Sequence, residues 1–113
     1  LLLSVQIVWG AFTAGLRAGL ASDTWPLMFG TLVPDGILAH ARDAIADPVT
    51  VQFLHRSLAY AVMAAALLVA WRLRAAGAGV RALLLAAAVL VQFVLGVLVV
   101  VNQVPIPLGV AHQ

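Results

Sequence analysis

The sequence predicts an all-α integral membrane protein, an up-down bundle of transmembrane helices with three spans, the start of a fourth, and one long outer loop. Two observations predict it. The 113 residues are 65% hydrophobic and 9% charged, with a mean hydropathy of +1.13, outside the range of soluble domains. The apolar residues also fall into runs of about 20, the length a helix needs to cross the hydrocarbon core. Residues 1–113 read as a single transmembrane domain.

The first run, residues 1 to about 20 (LLLSVQIVWGAFTAGLRAGL), reads as one span that lacks part of its N-terminal end. Residues 21–48 hold all four aspartates, His40, Arg42 and three prolines, a composition that predicts an exposed outer loop. A loop of this length in a compact protein is usually functional. A second span is expected over about 49–71 and a third over about 82–101. The turn after the third contains Pro105 and Pro107, which remove backbone donors and favour extended geometry before them. A fourth span therefore starts near 107. The chain opens on Leu1 and stops at Gln113, so it reads as an internal fragment of a longer protein.

Orientation follows from charge. Arg72, Arg74 and Arg81 flank the short second connection with no acid between them, which puts it on the cytoplasmic side. The acidic long loop and the 102–107 turn then face the other side. The net charge is only +2, and the arginines sit at span boundaries rather than in a stripe, so the pI of about 10.6 does not indicate nucleic-acid binding. There is no cysteine, which excludes disulfides, thiolate metal sites and covalent haem attachment.

Within the spans the informative residues are His55 and His112. An ionisable side chain at membrane depth needs a compensating partner. If the second helix starts at Pro48 and the fourth at Pro107, His55 lies roughly 10 Å and His112 about 7.5 Å along their axes, at ~1.5 Å per residue. Both helices start from the same side, so the imidazoles sit at nearly equal depth and could face each other across the ~4 Å spanned by two metal–nitrogen bonds. A bis-histidine haem site fits this pattern, and so does a proton relay or ion site. Small or polar stripes point inward beside them: Gln52, Ala59, Val62 and Ala66 around His55, Gln92, Gly96, Val99 and Gln103 on the third helix, and Gln6, Gly10, Thr13 and Arg17 on the first. Close helix packing alone would also produce such stripes. Arg56 and Arg17 are candidates for haem propionates, against the alternative of snorkelling to lipid headgroups. His40 reads as a solvated surface histidine.

Residues 10–19 (GAFTAGLRAG), 23–28 (DTWPLM), 51–60 (VQFLHRSLAY) and 105–113 (PIPLGVAHQ) together resemble the second half of haem A synthase, and the resemblance runs along the whole chain. It implies an eight-helix membrane enzyme of two similar four-helix halves, an oxidoreductase that converts a methyl substituent of haem O to the formyl group of haem A for cytochrome oxidase. It implies that His55 and His112 are the iron ligands of a haem b, with Gln52, Arg56 and Arg17 near that cofactor, while substrate haem O occupies the other half. Where the first half of the family carries a glutamate three residues before its histidine, this chain has Gln52, which cannot act as a general base. All four carboxylates lie in the outer loop, so no catalytic residue is assigned and the fragment alone is not expected to be catalytic. The cysteine pair that some members carry in a loop is absent, so no redox role for such a pair falls to this half.

The implied partners are membrane lipid, a second copy of the chain, and haem O synthase or cytochrome oxidase assembly factors. The implied location is a bacterial plasma membrane, or a mitochondrial inner membrane in a eukaryote. Two alternatives remain at this stage: a b-type electron-transfer subunit, and a transporter or structural membrane module.

Overall fold

The computed structural model describes residues 1–37 and 44–113, so His40 and Arg42 lie outside the described residues. Four α-helices follow in order among the described residues: α1 (Leu2–Gly15), α2 (Pro48–Ala75), α3 (Gly79–Val101) and α4 (Ile106–His112), with a 3₁₀ turn, Ala18–Leu20, after α1. Among the described residues there is no strand, only an isolated Met28–Thr31 bridge in the loop. Helices α2 and α3 are long and apolar enough to cross a membrane, and α1 is a shorter apolar helix.

Helix α2 starts where its sequence dictates. The Asp47 carboxylate accepts from the Thr50 amide at 2.7 Å and from the Thr50 hydroxyl at 2.6 Å, and Pro48 occupies the first helical position, where its missing N–H costs nothing. Both long helices run about one turn further toward the basic connection than their apolar runs indicate. Alanine and arginine are strong helix formers, so the helices outlast the hydrophobic stretches. Gly77, at φ +81°, ends α2: its amide donates to the Arg74 carbonyl and that of Ala78 to the Leu73 carbonyl, a paired closure that needs the left-handed conformation.

The same closure ends α3, through Gln103 to Val100 and Val104 to Val99, but here Gln103 and Val104 take the positive φ values, 59° and 57°.

The first apolar run departs from expectation. Helix α1 stops at Gly15, because Arg17 turns into the left-handed region at φ 51° and the chain continues as the 3₁₀ turn. That turn brings Gly19 so close to Val104 that a Cβ there would lie 2.9 Å from Val104 Cγ2. The outer loop is not wholly exposed either, since Ser22, Met28 and Ile37 are buried. Trp25 reaches the face of α3, edge-on to Phe93 at 6.3 Å, and Phe93 in turn packs against Tyr60 of α2 at 5.4 Å. Such aromatic pairs add attraction beyond buried area.

Successive helices run antiparallel. Short turns join α2 to α3 and α3 to α4, and α1 descends past α2 so that Gly19 meets Gln52 while Gln6 meets His55.

Candidate haem-binding site

The two histidines singled out by the sequence come together. The ring centres of His55 on α2 and His112 on α4 are 6.4 Å apart and their planes cross at 83°. Two imidazoles that share one metal through a nitrogen each hold their ring centres about 6 Å apart, given metal–nitrogen bonds of about 2 Å. The proximity is a product of topology: α2 and α4 start at the same end of the bundle, and both histidines lie a turn or two along their helices.

Glycines back each ring. A Cβ on Gly10 of α1 would lie 3.3 Å from His55 Cε1, and one on Gly96 of α3 would lie 2.8 Å from His112 Cε1. The small-residue stripes thus serve the histidines directly. Amides complete the surround. Gln6 Nε2 lies 3.3 Å from His55 Nδ1, and the Gln92 side chain donates to the backbone carbonyl of His112.

Several polar atoms here have no hydrogen-bond partner among the described residues. They include His112 Nδ1, Gln6 Oε1, Trp9 Nε1, Gln52 Oε1 and Arg56 Nε, all buried. Buried polar atoms are normally satisfied, so this concentration fits a site that a polar or metal-containing group completes. No cluster of three or more metal-ligating side chains exists among the described residues. A porphyrin iron needs only two protein ligands, one on each face, and the pair meets that requirement.

Gln52 and Arg56 have a different set of partners from the histidines. The Gln52 amide, 1% exposed, donates to the carbonyls of Gly19 at 3.1 Å and Ser22 at 2.9 Å. The Arg56 guanidinium donates to the carbonyls of Thr24 at 2.8 Å and Ser22 at 2.9 Å. Together they tie the start of the outer loop to α2. Arg17 is exposed beyond the end of α1, and its side chain makes no hydrogen bond among the described residues. On the outer rim, Gln103 Nε2 meets Asp23 Oδ2 at 3.3 Å.

Sequence reasoning placed Gln6 and Gln92 on inward stripes but not on particular partners. Their spacing from the glycines, Gln6 to Gly10 and Gln92 to Gly96, was the available signal: four residues put each amide one turn from the glycine that a histidine touches.

Comparison with known proteins identifies relatives of the chain. The chain is similar to the haem A synthases of Parvibaculum lavamentivorans, with 42% identity over 115 residues covering 99% of this chain and 33% of the relative, and of Rhodospirillum centenum, with 42% identity over 119 residues covering 99% and 32%. The haem A synthase of Bradyrhizobium diazoefficiens is 47% identical over 117 residues, covering 96% of this chain and 32% of the relative. The chain spans about a third of the length of these curated relatives. No solved structure matches it. The sequence model of the cytochrome oxidase assembly protein family matches residues 1–113, from the first residue to the last, and the chain belongs to that family.

Proposed function

We propose that this chain is the cofactor half of a haem A synthase, a membrane oxidoreductase that converts haem O to haem A, and that His55 and His112 are the two axial ligands of a haem b. The observation that carries the reading is the pair of imidazoles 6.4 Å apart at matched depth, each backed by a glycine. The bound haem would supply one-electron transfer. The chain's own residues would hold and orient it: Gly10 and Gly96 leave room for the rings, and Gln52 and Arg56 fix the start of the loop against the helix that carries His55.

Arg17, which makes no hydrogen bond among the described residues, is placed to pair with a propionate, and Arg56 keeps only Nε for that purpose. Gln52 cannot serve as a base, and every carboxylate lies in the loop, so the oxidation of haem O belongs to the remainder of the protein. In this reading residues 1–113 are one transmembrane domain, with α1, α2 and α3 as spans and α4 the beginning of a fourth. The arginine-rich turn lies in the cytoplasm of a bacterial cell, or in the matrix if the source is eukaryotic. Lipid surrounds the bundle, and a second copy, haem O synthase or oxidase assembly factors are its protein partners.

The test is the reduced-minus-oxidised spectrum of the full-length protein. His55→Ala and His112→Ala are each expected to remove the b-type bands of this half, and bands unchanged in both variants would overturn the assignment. Loss of haem A on deleting the gene separates a synthase from a plain electron-transfer subunit.

A further inference from the structure

His55 and His112 are inequivalent in this fold. Nδ1 of His55 has the Gln6 carboxamide at 3.3 Å, whereas Nδ1 of His112 is buried with no partner. A neutral imidazole carries one N–H, and a metal on Nε2 leaves that proton on Nδ1, which then needs an acceptor. Gln6 has an unused one. Its Oε1 is buried without a partner, and a half-turn of the terminal torsion exchanges Oε1 and Nε2 without moving the rest of the side chain. With the ring free and protonated on Nε2, the amide nitrogen donates to Nδ1. With Nε2 on a metal, Nδ1–H donates to the amide oxygen.

We propose that Gln6 is the positioning residue of His55, accepting its Nδ1–H when Nε2 binds the haem iron and so making His55 the stronger donor of two unequal axial ligands. The inference rests on the reading of His55 and His112 as haem ligands. A hydrogen bond from the outer nitrogen fixes the ring orientation and raises the basicity of the ligating nitrogen. The more basic ligand favours ferric over ferrous iron, so Gln6 holds the reduction potential below the value it would have without the acceptor. Its position on α1 also makes the potential sensitive to how α1 seats against α2, because no other side chain meets Nδ1 among the described residues.

The experiment is a spectroelectrochemical titration of the haem in the full-length purified protein, with Gln6→Leu and Gln6→Glu beside the wild type. Leucine removes the acceptor and is expected to raise the midpoint potential. Glutamate strengthens the acceptor and is expected to lower it, each by about tenfold in the one-electron equilibrium, ~59 mV, with the six-coordinate low-spin spectrum kept. Haem retained at the wild-type potential in both variants overturns the role of Gln6. If the leucine variant loses its haem, the glutamate variant decides alone: retained haem at lowered potential supports the proposal, while an unchanged potential or loss of haem there overturns it. Failure of the underlying reading is a separate outcome, seen as b-type bands that survive His55→Ala and His112→Ala.

Discussion

Gly96 of α3 and the His112 ring are in such close register that a Cβ on the glycine would lie 2.8 Å from Cε1 and 3.3 Å from Nε2 of the imidazole. Gly96→Ala must therefore displace the ring, since overfilling a packed site costs about 1–3 kcal/mol. Haem affinity is expected to fall by about tenfold or more, in line with other changes to the support of a metal ligand. Gly10→Ala, with its Cβ at 3.3 Å from His55 Cε1, is expected to be milder. Haem titration of the two purified variants checks the order, and equal affinities would contradict it.

The 83° crossing of the two imidazole planes has a spectroscopic consequence. Perpendicular axial ligand planes leave the iron orbitals that π-bond to them nearly degenerate. The oxidised protein is therefore expected to give a strongly anisotropic low-spin ferric signal in frozen-solution electron paramagnetic resonance. A rhombic signal typical of parallel planes would show that the rings rotate on binding the metal.

Gln52→Leu tests whether the buried amide serves the loop or the haem. The variant leaves the Gly19 carbonyl without its donor, a loss of about 1–3 kcal/mol for a buried unpaired group. A lower thermal unfolding midpoint with an unchanged haem spectrum is the expected result. An altered spectrum at unchanged stability would assign Gln52 to the cofactor instead.

Topology is open to labelling, because this segment has no cysteine of its own. In a full-length protein freed of any other cysteines, Asp35→Cys is expected to react with an impermeant thiol reagent in intact cells. Ala76→Cys, beside the basic turn, is expected to react only after permeabilisation. The reverse pattern would invert the bundle.

Helices α2, α3 and α4 were legible in the sequence to within about a turn, because apolar runs and prolines mark them. Their ends were less so. Nothing in the LLLSVQIVWG run announces that Arg17 would take a left-handed conformation and stop α1 at Gly15. Matched depth made the histidines candidates for a pair, whereas their meeting and the angle between the rings depend on packing against the two other long helices, α1 and α3. Gln52 and Arg56 illustrate the limit best. Their sequence position beside His55 suggested the haem, but a helix face says nothing of a loop that folds back over thirty residues, and that loop supplied the carbonyls they bind.

That anchorage has a bearing on how the protein can diversify. Gln52 and Arg56 grip main-chain oxygens of Gly19, Ser22 and Thr24 rather than side chains. Every amino acid offers such an oxygen, so this grip on the loop survives substitution at 22 and 24 even though the hydroxyl contacts of Ser22 with Thr24 and of Thr24 with the Leu27 carbonyl would be lost. Position 19 is the exception, pinned by Val104, and there the freedom to mutate ends.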